Sequence, residues 1–184
     1  MTNTFNPLEL EPISKVRRNH GLEHATINLL SKAHPDRAYA GHSDINGFWI
    51  IGNIDTEELT LTTRDALARM NAGQHNLAIH PNCGTNAATT GVIAGSLAWL
   101  AMLGSGNSWK KRLDRLPWVI VLVTGAVILA APLGPRVQEK VTTCGVPGGL
   151  HIVQVVRYER GKIITHRVIT TDEIPTALKG GTGA

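Results

Sequence analysis

The alternation of polar and apolar positions predicts a mixed helical and strand-forming first part of the chain. Leucines, isoleucine and alanines recur at helical spacing over residues 19–33, which predicts an amphipathic helix that ends at "HPD". Two strands, 38–43 and 47–53, are predicted next, because "DING" between them contains the Asn-Gly turn typical of hairpins. The stretch "TEELTLTTRDALARMNAG" predicts a second helix, and "NLAIH" at 76–80 predicts a short strand.

The middle of the chain contains two apolar runs, 86–104 and 117–134, without a charged residue. Each is about 18 residues long, close to the shortest helix that spans a bilayer. Trp109 and Trp118 flank a basic cluster between the runs, as expected at a membrane interface. This pattern predicts a two-helix transmembrane hairpin, with a buried helical hairpin in a soluble core as the alternative. The Gly91/Gly95 pair favours close helix approach and a possible oligomer contact.

After Pro135 the chain becomes polar again, and "HIVQVVRYERGKIITHRVIT" predicts a second β-hairpin that turns at Arg160-Gly161. The predicted fold class is α+β: a small helix–hairpin–helix–strand layer, a two-helix transmembrane hairpin and a C-terminal β-hairpin. Four segments follow from this interpretation. They are an extended arm, 1–18, an α+β domain, 19–85, the transmembrane hairpin, 86–134, and a C-terminal hairpin segment with a mobile tail, 135–184.

The charge distribution favours a lipid bilayer over nucleic acid as the partner. The formal net charge is +4, but the densest basic cluster lies between the apolar runs rather than in a stripe with aromatic residues. Basic residues there indicate a cytoplasmic loop. The absence of an apolar signal segment near the N-terminus instead favours cytoplasmic polar parts, so the orientation of the hairpin stays open. A shallow re-entrant hairpin is the third alternative. The two cysteines make no disulfide framework.

The stretch "NHGLEH" carries the candidate chemistry. On a helix, His20 and His24 lie one above the other, and Glu23 borders the same face. Two imidazoles could bind zinc, and the carboxylate could take a proton from a water that zinc acidifies. His80 in "LAIHPNCGTN" is the best third ligand, which leaves one coordination position open for catalysis. Cys83 as a fourth ligand would close the site and make it structural.

The pattern His-x-x-Glu-His resembles the inverted zinc-binding motif of the inverzincin peptidases, the pitrilysin and insulysin type. In those enzymes a strand hairpin and a helix follow the motif helix, as predicted here. The resemblance implies that His20 and His24 are zinc ligands and that Glu23 is the base. Inverzincins take their third ligand from a glutamate on a later helix. The corresponding stretch here is the first apolar run, which contains no carboxylate.

On a wider scale, "HGLEHAT" and "HPNCGTN" before a two-run membrane segment resemble an uncharacterised bacterial membrane-protein family of unknown function. That resemblance implies an integral protein of the bacterial inner membrane.

The predicted function is a membrane-embedded zinc hydrolase, a peptidase that acts on peptide or membrane-protein substrates. The first hairpin could offer an edge strand to an extended peptide. The alternative is a non-catalytic membrane subunit or assembly factor whose polar layer docks a partner, with or without a structural zinc site.

Overall fold

A computed structural model of the protein describes residues 6–106, 108–161 and 163–173. The described residues form a mixed α+β structure with five α-helices and four strands. The helices are α1 (Ile13–Ala33), α2 (Thr56–Asn71), α3 (Gly84–Met102), α4 (Trp109–Ala130) and α5 (Leu133–Val137), and the strands are β1 (Ala40–Asp44), β2 (Gly47–Ile51), β3 (His151–Arg160) and β4 (Ile163–Thr171). Two short 3₁₀ turns, Pro7–Glu9 and His75–Ala78, and a π-helical turn, Gln138–Thr142, complete the described elements.

The chain divides into two compact units, one formed by Met1–His80 with Glu139–Ala184 and the other by Pro81–Gln138. The first unit contains an antiparallel sheet in the order β1-β2-β4-β3. Strand β2 pairs with β4 so that Phe48 lies opposite Val168. Both predicted hairpins are therefore confirmed, and they share one sheet, although the sequence placed them in separate segments.

Helix α1 is the central helix of the first unit and contacts α2, β1 and β2. Its middle, residues 21–27, is buried on every side. One apolar stripe of α1 packs with apolar residues of α2 and the sheet, as the helical periodicity predicted. The core consists of Leu22, Ala25, Ile27, Leu30, Phe48, Ile50, Ile54, Leu59, Ala66, Met70, Ala78, Leu150 and Val168.

Helix α2 begins where the sequence predicted because Asp55 caps it. The Asp55 carboxylate accepts hydrogen bonds from the backbone N–H groups of Glu57 and Glu58. These bonds favour the charged form and lower the pKa of Asp55. Gly73 follows the helix with a φ of +95°, a conformation that glycine adopts readily.

Two local predictions were wrong. Residues 13–18 are helical rather than extended, because α1 begins directly after Pro12, where a proline ring costs no intrahelical hydrogen bond. The predicted strand at 76–80 is the 3₁₀ turn His75–Ala78 followed by the extended residue Ile79. Its carbonyl groups at Leu77 and Ile79 accept hydrogen bonds from the Asn28 side chain instead of a neighbouring strand. The predicted mobile tail lies outside the described residues.

The second unit contains α3, α4 and α5, and α3 packs against both of the others. Among the described residues, α4 is the one helix that is long and apolar enough to cross a membrane, and 11% of its most apolar window is buried. Helix α3 is long enough but not apolar enough to be such a candidate, because asparagine, threonine, serine and glycine residues interrupt its apolar positions. The sequence predicted two membrane-spanning helices, whereas among the described helices only α4 has the length and hydropathy of one.

Candidate metal site

Helix α1 places His20 and His24 side by side, as their spacing predicted. The two ring centroids are 4.3 Å apart, and each ring offers a nitrogen within 4.8 Å of one on the other ring. His24 is buried, whereas His20 is half-buried. Both imidazoles can therefore be presented to one small ion at the face of α1.

His80 approaches His24 from the segment that follows the 3₁₀ turn. Its ring centroid lies 5.7 Å from that of His24, and its side chain is largely buried. Two imidazoles that bind one tetrahedral zinc ion through bonds of about 2.0–2.1 Å have ring centroids about 5 Å apart. Both measured separations lie within about 1 Å of that distance. His24 therefore has an imidazole neighbour in both His20 and His80, and His20 and His24 are the two histidines whose ring nitrogens lie within 4.8 Å of each other.

The backbone fixes which nitrogen His20 and His24 can present. The Nδ1 atom of His20 lies 2.9 Å from the carbonyl oxygen of Thr142, and the Nδ1 atom of His24 lies 2.8 Å from that of Ala78. A carbonyl oxygen only accepts hydrogen bonds, so Nδ1 carries the proton in both rings. In a neutral imidazole the lone pair then lies on Nε2, which is the form in which histidine binds a metal.

The Asn28 side chain fixes which nitrogen of His80 carries the proton. Its amide nitrogen donates to the carbonyl oxygens of Leu77 and Ile79, each at 2.9 Å. This fixes the amide orientation, so Oδ1 faces Nδ1 of His80 at 2.7 Å and accepts its proton. All three imidazoles therefore have an oxygen acceptor on Nδ1, the outer-shell arrangement typical of histidine ligands.

Glu23 is buried beside strand β1, although it carries a carboxylate. The Ser43 hydroxyl donates a hydrogen bond to Oε2 of Glu23. Gly41 lies two residues earlier on the same face of β1, and a β-carbon there would lie 2.2 Å from Oε1 of Glu23. A larger residue at position 41 would therefore have to displace the Glu23 side chain. The contacts hold the carboxyl group in one place on the helix that carries His20 and His24.

Cys83 is the helix cap that precedes α3. Its sulfur accepts a hydrogen bond from the backbone N–H of Thr85 at 3.4 Å. Neither Cys83 nor Cys144 forms a disulfide. Cys83 follows His80 by three residues, a stretch of chain that spans at most about 10 Å. Its role as a ligand stays a prediction.

His42 and Asp44, two other potential metal ligands on β1, lie away from the histidines. His42 alternates with Gly41 and Ser43, so its side chain projects from the opposite face of the strand. The Asp44 carboxylate pairs with Arg167 at 2.7 Å, and this guanidinium lowers the pKa of Asp44. Neither residue contributes to the histidine group.

Asn28, Ser43 and Thr142 were missed by the sequence interpretation. Asn28 had a local signal, because His20, His24 and Asn28 recur every four residues and therefore form one polar stripe along α1. Ser43 and the Thr142 carbonyl had none, since their positions depend on the packing of distant segments against α1.

Comparison with known proteins gives a family and a relative but no activity. The family described as "Domain of unknown function (DUF6391)" matches residues 15–155. An uncharacterized protein of Picosynechococcus sp. is 30% identical over 152 residues, which cover 76% of this chain and 71% of the relative. No solved structure matches. The matched region contains the three histidines and Glu23.

Proposed function

The chain belongs to the family described as domain of unknown function DUF6391, and we propose that it is a membrane-attached zinc-dependent hydrolase that cleaves peptide bonds. The observation that carries the proposal is the group of three imidazoles whose Nδ1 atoms all face oxygen acceptors. Such a donor set suits zinc, because neutral imidazole is a preferred ligand and three protein ligands leave one coordination position open.

His20, His24 and His80 would hold the ion through Nε2. A zinc ion there would acidify a coordinated water molecule to a pKa of about 7 and polarise a substrate carbonyl. The carbonyl groups of Thr142 and Ala78 and the amide of Asn28 hold the rings in their binding tautomer, so little rearrangement accompanies metal binding.

Glu23 would act as the general base. It precedes His24 on α1 and is buried, and the Ser43 hydroxyl donates a hydrogen bond to one of its oxygens. A carboxylate held at one position can accept a proton from water and deliver it to the leaving amine. The buried environment also excludes bulk water that would compete for this proton.

The second unit would attach the chain to a bilayer through α4. Its apolar side chains are largely exposed, including Val121, Ile128 and Leu129 at 62%, 68% and 76%. A soluble core helix of this composition would bury most of them, so a lipid surround accounts better for the exposure. Attachment to a bacterial inner membrane, with peptides or membrane proteins as substrates, is part of the proposal.

The test is metal content and peptide hydrolysis in the Glu23→Gln variant of the full chain in detergent. We expect one zinc per chain in both proteins and a rate 10²–10⁴-fold lower in the variant, measured on a library of internally quenched octapeptides. Glu57→Gln, at an exposed position on α2, is the matched control and should retain the wild-type rate. Equal hydrolysis by wild type and Glu23→Gln would contradict the proposal.

A structural zinc site is the second candidate, because Cys83 lies three residues beyond His80 and thiolates bind zinc well. A site closed by Cys83 would support folding or docking of a partner rather than turnover. Cys83→Ser separates the two functions. A hydrolase retains zinc and activity in this variant, whereas a closed structural site loses zinc affinity and no hydrolysis is seen in either protein.

A further inference from the structure

Arg17 makes an unusual set of contacts one helical turn before His20. Its guanidinium donates to the carbonyl oxygens of Val141 at 2.7 Å, Thr143 at 3.0 Å and Lys140 at 3.2 Å. A fourth bond reaches the carbonyl oxygen of Leu8 at 3.2 Å. The guanidinium thus binds backbone carbonyl groups, and none of these four acceptors is a carboxylate.

The carbonyl between these acceptors is the one that orients His20. Thr142 lies between Val141 and Thr143, and its oxygen is 2.9 Å from Nδ1 of His20. Arg17 and His20 are three residues apart on α1, so they lie on one face of the helix. Together they bind four consecutive carbonyl groups, 140–143.

Two backbone contacts keep the same segment close to α1. The N–H of Cys144 donates to the carbonyl oxygen of Arg17 at 2.9 Å. A β-carbon at Gly21 would lie 2.2 Å from the carbonyl oxygen of Cys144, so only glycine permits this approach. The segment therefore follows α1 for a full turn, and the Arg17 side chain binds three of its carbonyl groups.

We propose that Arg17 is a positioning residue for the candidate metal site, because it holds the Thr142 carbonyl where it selects the metal-binding tautomer of His20. This inference rests on the proposed function only in assigning the tautomer a role in metal binding. The tautomer itself does not require a bound metal. The planar guanidinium suits the role. Its five N–H groups point in fixed directions, whereas a lysine ammonium is a compact point charge that cannot bind carbonyls on both edges.

The test is the tautomer of His20 in the metal-free full chain, measured by ¹⁵N NMR of histidine-labelled protein at pH 8, where ordinary imidazoles are neutral. A His20→Gln variant assigns the His20 signal among the eight histidines. We expect wild-type His20 to carry its proton on Nδ1. In Arg17→Lys we expect a mixture with the Nε2–H form and a zinc affinity 10–100-fold lower.

Arg18→Lys is the matched control. Arg18 neighbours Arg17, but its guanidinium pairs with the carboxylates of Glu11 and Asp172 at 2.6 and 3.2 Å. This variant makes the same substitution at the neighbouring position, away from the Thr142 carbonyl, and should leave the His20 tautomer unchanged. Arg17→Gln, a smaller neutral donor, provides the same measurement if Arg17→Lys does not fold.

Two results would overturn the inference: a His20 tautomer that is identical in wild type and the Arg17 variants, or an equal shift in Arg18→Lys. Failure of the proposed function would be seen separately, as a wild-type protein that has the Nδ1–H tautomer but binds no zinc.

Discussion

The contacts of Asn28 predict that one side chain supports both stability and metal affinity. Asn28→Ala removes the two bonds from its amide nitrogen to the loop carbonyls and the one from His80. Hydrogen bonds contribute about 0.5–1.5 kcal/mol each, so the free energy of unfolding should fall by about 2–4 kcal/mol. Because Asn28 is half-buried, water can replace part of the loss and the lower end is expected.

The effect on zinc should be specific to this position. Without the Asn28 acceptor, His80 can rotate or change tautomer, and removal of such outer-shell partners typically lowers metal affinity 10–100-fold. Asn19→Ala is a close control. Asn19 is also on α1, and its amide donates to Asp44 and Ile45 carbonyls while its oxygen accepts from Thr170. It is fully buried, so its loss should destabilise the fold at least as much.

Urea unfolding gives the stability of both variants, and competition with a chelator gives their zinc affinities under conditions where both are folded. We expect Asn19→Ala to bind zinc as wild type does, and Asn28→Ala to bind it more weakly despite a smaller loss of stability. If zinc affinity follows stability in both variants, or is unchanged in Asn28→Ala, then the reasoning about His80 is refuted.

Three further predictions follow from named contacts. Gly41→Ala places a methyl group against the Glu23 carboxylate, so hydrolysis should fall while zinc content stays at one per chain, as measured by metal analysis and peptide cleavage. Burial, and then the nearby Arg157 cation, lowers the pKa of His166 below its ordinary value of 6.5. Protonation therefore favours the unfolded chain, and stability should be full above pH 6.5 and fall below it by up to about 1.4 kcal/mol per pH unit. Urea titrations at several pH values should show this slope, and His166→Gln should remove it. Val121→Arg places a charge in the middle of α4 and should release the protein from the membrane fraction, whereas Leu61→Arg on the exposed face of α2 should not.

Local patterns predicted most of the individual elements. The leucine and alanine spacing predicted α1, the Asn-Gly turn predicted the β1–β2 hairpin, and the Val/Ile-rich stretch predicted β3 and β4. Each of these signals arises within a short window, where burial of one face of a helix or strand imposes its period.

The pairing of β2 with β4 could not be predicted in the same way. It joins residues such as Phe48 and Val168, which are 120 positions apart, and no periodicity within either strand specifies its partner. The strand expected at 76–80 failed for a related reason. Its backbone groups bind the Asn28 side chain, and this tertiary contact overrides the weak local preference for a strand.

The candidate site was also predictable only where local spacing determines the geometry. The spacing of His20 and His24 required only the geometry of a helix, and it placed the two rings together. His80 was chosen for its chemistry and its position in the chain, and its approach to His24 depends on how residues 75–80 pack against α1. The Thr142 carbonyl and Ser43 reach the site through segments distant in sequence, so no local pattern indicated them.

The most direct test of the account is X-ray absorption spectroscopy of the zinc-loaded full chain, compared with the His24→Ala variant. We predict one zinc per chain with three imidazole nitrogens at about 2.0–2.1 Å and an oxygen in the remaining position, and loss of this site in the variant. A wild-type chain that binds no zinc, or that binds it equally well without His24, would contradict the central claim.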